Sequence, residues 1–217
     1  MPAHLIPRLF RSRRGVAMTE FAVVLPVFVL FAMSGVELTN YVTTRMRISQ
    51  TALHLADHAA RMGAGSLLAA KTISETQVND VLTGAGLQAG DLDLYTQGRV
   101  IVSSLEPVAT PNTTNRFKIA WQRCRGMQNH PSTYGIAGAT NLMGIGPANQ
   151  RVTAPAGGAT MFVEVYYRYR PIIAGDYAPN LEMTETASMM VRDRRDLTRV
   201  YNTENATMSA CDRFTAS

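Results

Sequence analysis

Few residues in this chain could do chemistry, and the first is a carboxylate. Glu20 stands five residues after Gly15, behind Arg8, Arg11, Arg13 and Arg14, and residues 21–36 after it carry no charge. An acid at the edge of so long an apolar run is costly unless it meets a cation, which reads as functional, or reaches the polar headgroups. Cys124 and Cys211 come next. An even count without CxxC spacing suits one structural disulfide, the alternative being two separate buried thiols. Closing so long a loop is worth roughly 4–5 kcal/mol in the chain-entropy view. His54 and His58 are spaced i, i+4 with Asp57 between, which is half a zinc site. No third ligand stands near and the HExxH glutamate is missing, so they read as surface histidines; His4 and His130 are isolated. No serine nucleophile elbow, no Cys-His-Asn arrangement around either cysteine and no paired carboxylates emerge, and Glu106, Glu164 and Glu182 lie in or beside strand-like runs with no spacing that brings them together. The chain reads as non-enzymatic, with no cofactor and no metal.

What must carry Glu20 is a helix. At about 1.5 Å per residue, residues 16–35 span roughly 30 Å, the hydrocarbon thickness of a bilayer. Each Leu, Val or Phe favours insertion by roughly 0.3–0.6 kcal/mol, and together they outweigh one acid near the edge. The four arginines precede the run, and basic flanks stay cytoplasmic. The rest of the chain then lies across the membrane, in the periplasm of a bacterial host, where a disulfide can form. The formal charge of +5 is a topology signal. The first fifteen residues hold four of the 21 Lys+Arg and none of the 16 Asp+Glu, so the remainder carries 17 against 16, or +1. That balance argues against a nucleic-acid partner.

The helical pattern runs on past the membrane. Leu38, Tyr41, Val42, Ile48, Ala52, Leu55, Ala59 and Met62 keep one face, with a weak spot at Arg45, until Gly63-Ala64-Gly65 stops it. Ser74 or Thr72 caps a short helix that Gly84-Ala85-Gly86 ends. Strand-like runs follow at 100–105, 117–124, 161–171 and 182–192, and the turn at 112–115 makes the first two a hairpin. Alternation puts Phe117, Ile119 and Trp121 on one face, and 187–191 is read as buried. Between the second and third strands, 126–158 is rich in Gly, Pro, Ala, Asn and Thr and reads as a long, mobile loop. Residues 192–196 alternate in sign and read as a solvated turn. The fold class is α+β: a long N-terminal membrane-spanning helix, pilin-like, packed on a small antiparallel sheet ectodomain.

The start of the chain resembles the class III signal peptide of type IV pilins, with a basic leader ending in Gly15 and a mature chain beginning at Val16. The stretch Glu20-Phe21-Ala22-Val23-Val24-Leu25-Pro26 resembles the opening of the TadE-like minor pilins of tight-adherence (Flp) systems. Val163, Val165, Tyr167, Tyr169 and Pro171 fit the Val-x-Val-x-Tyr-x-Tyr-x-Pro strand of such ectodomains. The resemblance implies a minor pilin or pseudopilin of a Tad pilus, serving pilus assembly, adhesion or biofilm formation. Prepilin peptidase would cut after Gly15, and Glu20 would pair with the new amino group of a neighbour's Val16. Its partners would be that peptidase, other Tad pilins and the inner-membrane assembly platform. Pro26 would kink the helix, since it cannot donate to the Ala22 carbonyl. The expected divisions are a leader at 1–15, a membrane segment at 16–36, an amphipathic extension at 37–63 and a periplasmic domain at 64–217. Two other readings stay open: a soluble secreted protein cut near Ser34, or a membrane-anchored hydrolase whose site lies in 126–158.

Overall fold

The computed structural model describes residues 13–66, 69–173 and 181–216. Residues 1–12 of the expected leader, with Arg8 and Arg11, lie outside the described residues.

One helix organises the molecule. α1 (Arg13–Arg61) runs unbroken through Pro26, and every residue of 16–36 is exposed on it. Its most apolar window has a mean hydropathy of 2.2, and it is the one helix among the described residues long and apolar enough to cross a membrane. Hydroxyls on this stretch bond back to the helix: Ser34 Oγ donates to the Leu30 carbonyl and Thr39 Oγ1 to the Gly35 carbonyl, each at 2.8 Å. Such back-bonding lets a small polar side chain sit among apolar ones.

The outer half of α1 becomes amphipathic and buries its stripe. Ile48, Ala52, Leu55, Ala56, Ala59 and Met62 pack against Val100, Val102, Met161, Val163 and Val165 of the sheet. The alanines let the helix approach closely, while each buried Ile or Leu contributes about 1.5–3 kcal/mol. Leu38 and Val42, assigned to this stripe from sequence, are exposed instead. The weak spot is bridged, because Arg45 Nε reaches Glu185 Oε1 at 2.7 Å. Gly63 takes a left-handed φ of +133° where the chain leaves the helix.

α2 (Glu75–Ala89) packs beside α1, with Ser74 as its N-cap in a full capping box with Gln77. It does not stop at Gly84-Ala85-Gly86. It continues to Ala89, and Gly86 serves packing: a Cβ there would lie 2.6 Å from the Tyr95 ring. A 3-10 turn (Gly90–Leu92) and α3 (Leu94–Gln97) lead into the sheet.

The sheet comprises β1 (Gly98–Pro107), β2 (Phe117–Arg125), β3 (Thr160–Tyr169) and β4 (Leu181–Met190) in the order β2-β1-β3-β4, all antiparallel. The molecule is therefore α+β. A bulge corrects one expectation. Ser104 faces Trp121 while Leu105 faces Ile119, so Ala120 is an extra residue on β2. An extra residue reverses the alternation. Phe117 and Ile119 point to the face away from α1, whereas Trp121 packs with the α1 core.

That second face is covered by 126–158. The segment is irregular, as its composition indicates, but it is built into the fold rather than loose. Ile145 is buried with Leu105, Phe117, Ile119 and Phe162, and Tyr134, Ala139, Leu142 and Val152 pack around them. The Phe117 N–H donates to the Leu142 carbonyl (2.8 Å) and the Ile119 N–H to the Ala139 carbonyl (2.9 Å), which occupies part of the β2 edge. β4 is an outer strand. Of the stretch 187–191 only Val191 is fully buried, and Met190 is exposed.

Residues 192–196 are not simply a solvated turn. Arg195 is 8 % exposed, and its Nη2 donates to the carbonyls of Ala59 (3.1 Å), Ala60 (3.1 Å) and Met62 (2.7 Å). It thus caps the C-terminal end of α1, where carbonyls lack helical partners and the dipole favours a cation. Lys71 pairs with Asp193 at 2.6 Å beside it.

Candidate assembly surface

α1 presents its inner half as a bare rod, and the sequence-predicted residues lie on it. Gly15 and Val16 fall in its opening turns and Glu20 one turn on, with Val16 and Glu20 on one face at i, i+4. The Glu20 side chain is exposed and has no hydrogen bond or ion pair among the described residues. Thr19 beside it donates to the Val16 carbonyl at 2.8 Å. An apolar rod with one unmatched carboxylate near its start can lie in a bilayer or pack lengthwise against similar rods, and in either setting the acid favours a neighbouring cation.

Where the rod meets the ectodomain, a residue that sequence reading passed over fixes the joint. Glu37 accepts the Tyr169 hydroxyl and the backbone N–H groups of Ile172 and Ile173, the latter two at 2.9 Å each. The Tyr169 hydroxyl first, and the Ile173 amide after it, hold the Glu37 carboxyl below the usual carboxylate range. Asn40 Nδ2 donates to the same hydroxyl at 2.7 Å, and the Tyr41 ring meets Tyr169 edge-on at 5.3 Å. Tyr169 lies at the end of β3, so the last strand residue and the helix are joined as α1 leaves its bare stretch. The signal available in sequence was slight: a Glu as the first charge after the apolar run.

The far end of the domain is held covalently. Cys124 on β2 and Cys211 in the tail form a disulfide, S–S 2.05 Å. Buried Arg99 reinforces it, donating to the carbonyls of Gly126 (3.0 Å), Arg213 (3.2 Å) and Cys211 (2.6 Å), with the Phe214 ring over its guanidinium. Glu75, at the start of α2, is buried and accepts both Nε and Nη2 of Arg123 on β2.

No catalytic grouping forms among these residues. Glu106 and Glu164 are both buried, with carboxyls pushed up by desolvation, but they lie on opposite faces of the sheet. Each is answered structurally: Glu106 accepts Ser104 Oγ at 3.0 Å, and Glu164 accepts the Ser132 hydroxyl and the Thr133 N–H. His130 stacks on Tyr166 at 4.1 Å, and burial pulls its pKa down. His54 and His58 are exposed on α1, and among the described residues no group of three His, Cys, Asp or Glu could hold a metal.

Comparison with known proteins bears on the rod. Residues 15–64 match the family model described as TadE-like protein. The match begins at Gly15 and ends three residues beyond α1, so it covers the helix and not the sheet. No curated protein matches the chain, and no solved structure does.

Proposed function

Taking residues 15–64 as those of a TadE-like protein, we propose that this chain is a non-enzymatic minor pilin or pseudopilin of a Tad (Flp) pilus. One observation carries the reading: the family match opens at Gly15, on a helix whose next twenty residues are exposed and apolar around a single unpaired Glu20. The leader stays in the cytoplasm and α1 crosses the inner membrane, with the ectodomain in the periplasm. Prepilin peptidase cuts after Gly15 and frees the amino group of Val16. Glu20 of one subunit then accepts that ammonium from a neighbour, a pair strong in an apolar medium and useless in the wrong register. Pro26, with no N–H to give, lets the packed rods bend. The subunit passes from the membrane into the pilus or its tip, where it supports adhesion.

The mature N-terminus tests this. Mass spectrometry of the protein purified from cells should find Val16 first, and Gly15→Ala should slow the cut. Glu20→Ala should leave the cut intact and reduce pilus assembly. A mature start at Gly35 would instead indicate a secreted protein, and normal piliation with Glu20→Ala would remove the pairing role.

A further inference from the structure

At the joint between rod and ectodomain lies an open apolar groove of about 570 Å3, walled by Leu30, Met33 and Leu38 of α1 and by Pro171, Ile173 and Leu181 of the domain. Its ectodomain wall is not a buried surface. Ile173 is 38 % exposed and Leu181 44 %, and Ile172, next to Ile173 in the same turn, is 63 % exposed.

The geometry sets the height of this groove. Ile172 and Ile173 donate their N–H groups to Glu37, so the turn sits level with that residue. Leu30 lies seven residues earlier on α1, about 10 Å nearer the cytoplasm at 1.5 Å per residue. If residues 16–36 occupy the bilayer, the lower half of the groove is already inside the hydrocarbon. Water cannot fill it there without cost, and no described residue of the chain does. The upper end carries the groups expected at a headgroup boundary: Tyr41 and Tyr169, amphipathic rings with polar tips, and Glu37, whose carboxylate is already satisfied by three donors. A carboxylate so answered can sit at the interface at small cost.

We propose that the ectodomain is seated on the outer leaflet of the membrane, with the turn Pro171-Ile172-Ile173 and Leu181 dipped into it and lipid acyl chains filling the groove beside Leu30 and Met33. This rests on α1 being a membrane anchor and adds a second, shallower contact to it. Glu37 and Tyr169 make the seat rigid, because they fix the angle between rod and sheet. The seat gives the unassembled subunit one orientation, with the sheet's long axis set relative to the bilayer. It also covers an apolar surface that would otherwise face water until assembly. Extraction into a filament must then strip lipid from the groove as well as from the rod.

The test uses the full chain in phosphatidylcholine vesicles, with bromine placed high or low on the acyl chains as a quencher. The chain has a single tryptophan, Trp121, half-buried within the α1 core, which sets the baseline. Ile172→Trp and Ile173→Trp, introduced one at a time, should each lose about half of the added emission with bromine high on the chains, the depth of ~5–10 Å at which interfacial apolar groups settle. Ile136→Trp, exposed on the layer over the other face of the sheet, should be unaffected. Phe28→Trp, in the middle of the rod, should respond to the deeper bromine. Quenching of Phe28→Trp without quenching of either turn variant overturns the seat and leaves the anchor standing. Absence of quenching at all three sites overturns both. Shielding of Ile172→Trp and Ile173→Trp at every protein-to-lipid ratio, with crosslinking between copies at that turn, assigns the groove to a second helix and also overturns the seat.

Discussion

Removing the guanidinium of Arg195 should loosen the outer end of α1 from the sheet, and the size of the effect can be worked from its contacts. One nitrogen serves three carbonyls of the last turn, and Nη1 lies 3.3 Å from Met161 Sδ. A hydrogen bond to a charged group is worth about 1.5–3 kcal/mol net, but a single N–H pair cannot serve three acceptors at full strength. Counting one to two such bonds gives ~2–5 kcal/mol. Against this stands the desolvation of the cation, which lowers the Arg195 pKa to about 10 and is relieved when the charge is removed. The expected balance for Arg195→Ala is a loss of about 3 kcal/mol, or ~6–12 °C in midpoint for a domain of this size. Arg195→Lys keeps a charged donor at the helix end and should lose less than half of that. Arg195→Met keeps the apolar stem without donors and should fall near Ala. Thermal unfolding of the full chain in detergent, followed by circular dichroism at one scan rate, reads all three. A shift below about 2 °C for Arg195→Ala would refute the capping argument, since 1 kcal/mol already moves such a midpoint by about that much. A Lys variant as damaged as Ala would refute it differently, by showing that shape rather than donation matters.

Two further predictions concern the domain rather than the rod. Cys124→Ser with Cys211→Ser opens a loop of sequence separation 87, for which chain entropy predicts a loss of roughly 4–5 kcal/mol, measurable as a lower urea midpoint. An unchanged midpoint would mean that Arg99 and the tail contacts hold the C-terminus unaided. Stability should also depend on pH through Glu164. Its carboxyl is pushed above the ordinary value by burial, so the folded state holds the proton more tightly than the unfolded one, and stability from this group falls as pH rises from near 4.5 through the raised value. His130, pulled down by burial, acts in the other sense, losing stability as pH falls through the ordinary imidazole range. The wild type should therefore gain stability relative to Glu164→Gln on acidification from pH 7 to about pH 5, a difference in which the His130 contribution cancels. Parallel urea midpoints across that range would show that Glu164 does not titrate there.

Much of this architecture is legible in sequence because it repeats over short distances. The bare rod, the stripe at Ile48, Ala52, Leu55 and Ala59, the capping box at Ser74 and the four strands all follow from spacings of two to four residues, and the match over 15–64 covers the same kind of local pattern. What escaped reading was of two kinds. Ala120 adds one residue to β2, and nothing in Phe117-Lys118-Ile119-Ala120-Trp121 announces that the alternation reverses there, since an apolar residue on either face of this sheet is buried. The segment 126–158 lacks periodicity because it serves the sheet as a cover through single side chains such as Tyr134 and Ile145, and a cover needs no regular backbone.

The other kind is the lone charged residue whose partner is far along the chain. Glu37 meets Tyr169 and Ile173 across more than 130 residues, and Arg195 meets Ala59 across 136. In sequence each looks solvated, one as the first charge after a membrane run and the other as part of a mixed-sign turn. They fasten the two ends of the same packed segment of α1, Glu37 at the inner end through β3 and Arg195 at the outer end. In the role proposed above, a force applied along the rod during extraction would enter the domain at the Glu37 end. There it meets three hydrogen bonds, a Tyr41–Tyr169 contact and the Arg45–Glu185 pair before it reaches the alanine-lined core. Rods joined to domains only by apolar packing can slide, because that packing is nondirectional. Directional bonds at both ends remove the freedom to slide, which is what a subunit pulled by its helix requires if its ectodomain is to follow without unfolding.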